Sequence, residues 1–317
     1  MRVAVLEPLG VPAEALEAEI RLACAEQADS LEIVTYANRS EDPSTLVQRA
    51  QDAEIVVLSN IPFPAAVLER LPRLQYICVA FTGYDHIDMN YCHAHGIRVA
   101  NCAGYSTTAV AELVIAFAIN LGRSVLPCDA AVRAQGTKDG LVGPELEGKT
   151  FGIIGLGAIG TRVAQLAQAF GCKVLAYNRS AREVPGVHMV SLEELLAQSD
   201  IISVHVPQNA ETTHMIGEAQ FALCKSSAYF INCARGPIVD SQALAQALNE
   251  GKLAGAAVDV FETEPPIAPD HALLTARNVI ATPHIAFASH QAFEKRARIV
   301  AQNIATYMQG NPQNIVA

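Results

Sequence analysis

The chain has 317 residues, 51% of them hydrophobic and 17% charged, enough for about two domains with cores of their own. Trp is absent, aromatics make up 6%, and 32 acidic residues against 22 basic ones leave a net charge of −10. An acidic surface poor in stacking side chains argues against nucleic acid as a partner, and the apolar fraction argues against disorder. Short β-rich runs alternate with amphipathic helical stretches, the pattern of βαβ units winding a parallel sheet. Strands are predicted at 2–6, 32–36, 55–59, 75–80 and 98–100, with helices at 12–25, 44–50, 64–70 and 88–95 between them. A long apolar helix over 107–122 follows, then a polar, glycine-containing loop over 135–148.

From Lys149 the alternation restarts more regularly, with a strand at 150–155, a helix at 159–170 and a strand at 173–177. Ser191 and Glu194 have the spacing of a capping box, in which each side chain takes an orphan amide at a helix start. Further strands are predicted at 200–206, 229–233, 254–260 and 279–281. Ser241 opens a helix that Gly251 closes, and a helix over 289–309 ends the series. A nucleotide-type domain over 101–284 is therefore expected as an insertion into a first domain made of 1–100 and 285–317.

Met1 to Pro8 holds no apolar run of signal-peptide length. The greasiest stretch, 109–121, contains Glu112 and Asn120 and is short for a bilayer span. Eight cysteines form no Cys-x-x-Cys pair and read as small buried hydrophobes in a reducing compartment. A cytoplasmic protein with no membrane partner is expected. Cys92, His93 and His95 resemble a fragment of a metal site, but no second ligand cluster follows at the needed spacing, so no metal is assigned. His205, His214 and His290 have no motif around them and are read as structural or surface residues.

Gly155, Gly157 and Gly160 form a Gly-x-Gly-x-x-Gly between a strand and a helix. The first makes the tight turn, the second lets backbone approach a pyrophosphate, and the third lets helix and strand pack. Such glycines also serve turns that only pack, but the strand–turn–helix context points to a dinucleotide. The next strand ends Asn178-Arg179-Ser180, where an acid would hold a ribose 2′-hydroxyl. No acid is there. Arg179 and Ser180 suit a 2′-phosphate and Asn178 a hydroxyl, so NADP is favoured and NAD is the alternative. The lesser alternative for Arg179 is to stack on adenine or reach solvent.

Three more segments join the glycine loop: Asn232-Cys233-Ala234-Arg235-Gly236, Val258-Asp259-Val260-Phe261-Glu262-Thr263-Glu264-Pro265 and Thr282-Pro283-His284-Ile285-Ala286. Together with Phe81 to Asp88 and Ala109 to Glu112, their order closely resembles the D-isomer-specific 2-hydroxyacid dehydrogenases over essentially the whole chain. The fold class expected is α/β, two doubly wound parallel-sheet domains, with a Rossmann-type nucleotide domain inserted into a flavodoxin-like substrate domain. The activity implied is reduction of a 2-oxo acid to a D-2-hydroxy acid by hydride from NAD(P)H.

The residue types fit that chemistry. Arg235 can fork to a substrate carboxylate and keeps its charge. His284 can give the proton in reduction and take it back in oxidation, because imidazole exchanges protons near neutral pH. Glu264 in contact with His284 would favour the imidazolium, and Pro265 holds that carboxylate on an extended segment. Singly, these three read as a surface cation, a loop histidine and a solvated acid. Their joint occurrence in three motifs points to catalysis, and the resemblance makes Arg235, Glu264 and His284 the catalytic residues.

The resemblance also implies that Ala158 and Ile159 lie by the pyrophosphate, Thr108 by the phosphates or the nicotinamide ribose, and that Val206, Pro207 and Thr212 wall the adenosine. It puts Cys233 and Ala234 by the nicotinamide and Asp259 on its carboxamide, though Asp259 also reads as a loop anchor and Thr108 as a helix cap. The amides of Thr82 and Gly83 would bind the substrate carboxylate, with glycine permitting an unusual backbone. Phe81, Tyr84, Tyr105 and Phe287 are equally pocket or core. A homodimer formed through the nucleotide domain is implied. A dinucleotide-sensing corepressor-like interaction protein of the same fold is the alternative, and the lack of an appended interaction segment favours the enzyme.

Overall fold

The computed structural model describes residues 1–263 and 266–317, which form two compact units, Met1–Ser106 with Ala288–Ala317, and Thr107–Phe287. Five strands build the first unit's sheet: β1 (Arg2–Val5), β2 (Glu32–Thr35), β3 (Ile55–Leu58), β4 (Tyr76–Val79) and β5 (Arg98–Asn101). All pair in parallel in the order β2-β1-β3-β4-β5, with Val3 opposite both Ile33 and Ile55. This is the flavodoxin-like order. β3 and β4 are buried along their whole length, which accounts for their unbroken apolar sequences rather than an alternating pattern. The helices Ala13–Cys24 and His290–Met308, one from each end of the chain, pack on each other, and the latter also packs on β4.

The second unit contains β6 (Thr150–Ile154), β7 (Lys173–Tyr177), β8 (Val187–Met189), β9 (Ile201–Val204), β10 (Tyr229–Asn232), β11 (Gly255–Val258) and β12 (Val279–Ala281). They pair in parallel in the order β12-β11-β10-β9-β6-β7-β8. The chain winds outward from β6 through β8, then returns to β9 and winds the other way, so β6 and β9 flank a topological switch point. Side chains alternate across the sheet. Phe151, Ile153 and Ile231 join the helix Thr107–Gly122 and the helix Ala158–Ala169 in one core. Ile154, Phe230 and Val258 join Leu195, Phe221 and Leu244 in another, on the opposite face. Each fully buried Phe or Leu contributes about 1.5–3 kcal/mol of transfer free energy.

Helix ends follow their capping chemistry. Ser191 Oγ accepts from the Glu194 amide at 3.1 Å, but the Glu194 carboxylate accepts from Gln198 one turn on, so only the Ser191 half of the expected capping box is made. Asp240, rather than Ser241, caps the helix Ser241–Asn249 by accepting from the Ala243 amide. Gly251, at φ +72°, ends it in a Schellman pattern, with Gly251 N on the Leu248 carbonyl and Lys252 N on the Ala247 carbonyl.

The unit boundaries fall after Ser106 and Phe287, a few residues beyond the expected 100 and 284. Hydrogen bonds give the reason. Asn101 N, Cys102 N and the Gly104 carbonyl bond to Asn314, Phe81 and Lys295 in the first unit, while Ile285 N and Ala286 N bond to Asp259 in the second. Among the described residues no single helix is long and apolar enough to cross a membrane, and no group of three or more His, Cys, Asp or Glu is placed to hold a metal ion. Cys92 and His95 sit on the helix Met89–His95, where His95 stacks on Tyr91.

Candidate active site

In a parallel sheet the carboxyl ends of the strands share one edge. The described site residues predicted in the second unit, apart from Thr108, which precedes the sheet in the chain, lie on the loops leaving that edge or in the helix turn that follows. After β6, Gly155 takes φ +99°, and a Cβ there would stand 2.7 Å from the His205 backbone beyond β9. Gly157 faces open space, where an added Cβ meets nothing within 4 Å. At Gly160 a Cβ would come within 2.1 Å of the Gly155 carbonyl, so the helix Ala158–Ala169 rests directly on the turn. Its first residues, Ala158 and Ile159, point their amides out of the helix start. The three glycines thus make a tight turn, an open approach and a close contact. That combination fits a pyrophosphate.

Asn178 serves the turn itself. Its Oδ1 accepts from the Leu156 amide at 3.0 Å and its Nδ2 donates to the Ser180 carbonyl at 2.8 Å. Arg179 is 80% exposed and pairs with Glu211 at 2.7 Å. Thr212 Oγ1 donates to the Pro207 carbonyl at 2.6 Å and accepts from Asn209 N, shaping the loop after Val206 and Pro207. Thr108 is exposed in the first turn of the helix Thr107–Gly122. Burial pushes the His205 imidazole down to about 3, so it stays neutral, and its Nε2 lies 2.7 Å from Ser203 Oγ.

β10, β11 and β12 are neighbours, so the loops leaving them start about 5 Å apart each. Beyond β10, the buried Asn232 closes an Asx turn, its Oδ1 accepting from Ala234 N and its Nδ2 donating to the Arg235 carbonyl, both at 3.0 Å. Arg235 is half-buried, with Nη1 donating to the Ala234 carbonyl at 2.8 Å. At Gly236 a Cβ would stand 1.9 Å from the Phe261 carbonyl carbon, so the arginine turn lies against the loop after β11. Cys233 is buried, and burial, with the nearby Asp259 charge, keeps its thiol protonated.

Asp259 is wholly buried and organises the loop after β12. Oδ1 accepts from Thr282 Oγ1 at 2.5 Å and Ile285 N at 2.8 Å, and Oδ2 accepts from Ala286 N at 2.8 Å. Burial raises its carboxyl, and these three bonds pull it part of the way back. The turn they hold puts His284 at φ +55°, with its amide on the Asp259 and Thr282 carbonyls. The half-buried imidazole meets the Phe287 ring edge-on at 5.3 Å. Glu264 and Pro265 lie outside the described residues. Their neighbour Glu262 pairs with His271 at 3.0 Å, which fixes the loop on either side of them.

In the first unit, Thr82 and Gly83 follow β4, half-buried, and Gly83 does not use the left-handed backbone that its glycine suggested. Phe81 and Tyr105 are buried ring against ring at 6.0 Å, as core residues, whereas Tyr84 is exposed. The sequence reading gave no role to Asn232, Gly236 or Thr282. An Asn two residues before the amide it accepts is a legible Asx signal, but the other two depend on contacts across the sheet edge.

Residues 115–286 match the D-isomer specific 2-hydroxyacid dehydrogenase, NAD binding domain family. The chain is 39% identical over 282 residues to the glyoxylate reductase of Korarchaeum cryptofilum, covering 86% of this chain and 85% of that one. The chain belongs to the D-isomer-specific 2-hydroxyacid dehydrogenases. Solved structures of similar proteins span the length of this dehydrogenase. An acyclic imino acid reductase, Bsp5, in complex with NADPH and D-arginine has a TM-score of 0.90 at 30% identity, covering 100% of both chains. The D-lactate dehydrogenase of Aquifex aeolicus complexed with NAD and lactic acid has a TM-score of 0.84 at 32% identity, covering 98% of this chain and 96% of that one.

Proposed function

We propose that this dehydrogenase reduces a small 2-oxo acid to its D-2-hydroxy acid with a nicotinamide dinucleotide, NADP(H) preferred. The observation that carries the reading is the shared strand edge: the glycine turn, Arg235 and His284 all leave the carboxyl ends of one parallel sheet, with Arg235 and His284 on the loops after β10 and β12, on either side of β11. Bound there, the dinucleotide supplies hydride. The amides of Gly157, Ala158 and Ile159 and the dipole of their helix take the pyrophosphate, with Gly155 and Gly160 making room. Thr108 meets the phosphates, Val206, Pro207 and Thr212 the adenosine, and Cys233 and Ala234 the nicotinamide.

Arg235 binds the substrate carboxylate, held in direction by the Asn232 turn. In the first unit, the Thr82 and Gly83 amides are donors suited to a carboxylate. His284 protonates the oxygen that becomes the hydroxyl, and Glu264 stabilises the imidazolium. Asp259, out of solvent and bonded to the histidine loop, anchors that loop rather than meeting the carboxamide. The preference for NADP(H) rests on the missing acid after β7 and on Arg179, whose exposed pair with Glu211 is weak enough for a 2′-phosphate to replace. A homodimer is supported by the helix Val125–Arg133, which has no buried residue and exposes Val125, Leu126 and Val132. A cytoplasmic setting suits its free cysteines.

The test is NADPH and NADH oxidation over a panel of 2-oxo acids, glyoxylate, hydroxypyruvate and pyruvate among them, with His284→Ala beside the wild type. Turnover that falls by about 100-fold or more in the variant, with cofactor binding kept, is expected. Full turnover in the variant would remove His284 from the chemistry.

A further inference from the structure

The loop after β4 is held from behind by two buried side chains of the first unit. Arg296, 3% exposed on the helix His290–Met308, donates through Nη1 to the Ala80 carbonyl at 3.3 Å and Ser59 Oγ at 3.4 Å, and through Nη2 to the Leu9 carbonyl. Its guanidinium lies over the rings of Tyr105 and Phe293. It therefore ties together the segments leaving β1, β3 and β4. The next carbonyl along, that of Phe81, accepts from Cys102 N at 2.9 Å. The one after, that of Thr82, accepts from Asn101 Nδ2 at 2.8 Å. Asn101 is fixed in turn. It is 7% exposed, its Oδ1 accepts from Ala103 N, and its backbone bonds to Asn303 and Asn314.

Three consecutive carbonyls are thus anchored. A trans peptide sends its N–H opposite to its C=O, so drawing the Phe81 and Thr82 oxygens toward residues 101 and 102 turns the N–H groups of Thr82 and Gly83 away from them. Neither amide has a hydrogen-bond partner among the described residues, and both residues are partly exposed. Two successive outward N–H groups are a donor pair for one anionic oxygen.

We propose that Asn101 and Arg296 are positioning residues for a carboxylate cradle made by the Thr82 and Gly83 amides, an inference that rests on the 2-oxo acid reading above. Asn101 locks the Thr82–Gly83 peptide plane and Arg296 the start of the loop. Neither touches the substrate.

The experiment compares Asn101→Ala, Arg296→Met and Arg296→Lys with a buried β4 control, Ile77→Val. Each is assayed on the 2-oxo acid that the wild type reduces best and on its methyl ester, which keeps the carbonyl and loses the charge. For Asn101→Ala and Arg296→Met, KM for the acid should rise about tenfold, with kcat within about threefold and KM for the cofactor unchanged. The preference for acid over ester should shrink in both, recover partly in Arg296→Lys, and stay at the wild-type ratio in Ile77→Val. An unchanged ratio in Asn101→Ala, or an equal change in Ile77→Val, overturns the inference. If the wild type reduces no 2-oxo acid, the functional reading fails by itself and titration with oxalate decides the cradle. Binding weakened in Asn101→Ala but not in Ile77→Val supports it, and equal binding in all three overturns it.

Discussion

Replacing Asp259 by Asn keeps the side chain's shape and removes an acceptor from a point where three donors meet. Oδ1 takes Thr282 Oγ1 and Ile285 N, and Oδ2 takes Ala286 N. An amide offers one oxygen, so its NH2 faces at least one of these donors and leaves it unsatisfied, at about 1–3 kcal/mol. Some of that returns, because burial already raises the Asp259 carboxyl and a neutral amide avoids desolvating a charge. The net destabilisation expected is about 1–2 kcal/mol, a fall in Tm of about 2–8 °C for a unit of this size. Activity should fall much further. His284 sits at φ +55°, a backbone state costing roughly 1–2 kcal/mol outside glycine, and the Asp259 loop is what holds it there. A shift of about 1 Å in the proton donor is worth about 100-fold in rate. The assay is steady-state NADPH oxidation with glyoxylate beside thermal unfolding. It should give kcat down about 100-fold and KM for the cofactor within about threefold. A kcat close to wild type alongside the expected Tm loss would refute the coupling between carboxylate and histidine.

Arg179→Ala should lower kcat/KM for NADPH about tenfold and leave that for NADH nearly unchanged; equal effects on both cofactors would remove the 2′-phosphate role. Gly236→Ala drives a Cβ to within 1.9 Å of the Phe261 backbone, which cannot move aside as a side-chain tip would. It should cost about 2–3 kcal/mol in chemical unfolding and reduce turnover by displacing Arg235, whereas wild-type stability would show that the contact relaxes. Burial works against the Asp200 carboxylate, but Lys225 and the Thr150 amide, each at 2.9 Å, outweigh it and hold the carboxyl below its usual range. Its stabilising contribution is complete above the unfolded-state value near ~4 and is lost as pH falls through the lower folded-state value. Asp200→Asn should therefore be less stable at pH 7 and have a shallower acid limb in Tm against pH; an unchanged limb counts against the pairing.

Strands buried on both sides, such as Ile55–Leu58, were the plainest to read, because a continuous β-branched run leaves few other choices, and the part-exposed Glu32–Thr35 and Val279–Ala281 were placed as well. Val187–Met189 carried no such signal. It is a short, largely exposed edge strand specified by its pairing with β7. The helix Val125–Arg133 was equally silent, since it buries no face and so shows no apolar stripe, and Pro127 lies in its first turn. In the site, residue type and order were enough to single out Arg235 and His284. They could not say that Asn178 would be tied to the glycine turn, nor that Asp259 would meet Thr282, Ile285 and Ala286, because those partners lie 22 to 27 residues away in the chain.

The first unit draws its final helix, His290–Met308, from the far end of the chain, and Val300, Ala301 and Ile304 on it are buried. A polypeptide emerging from the ribosome makes the β1–β5 strands before the second unit and the helix that packs on them after it. Until that segment has been synthesised, part of an apolar sheet has no cover, and Arg296 is not yet there to tie its loops. That sheet is thus finished only after the whole second unit has been made, a delay during which the nascent chain is exposed to misassociation and to chaperones.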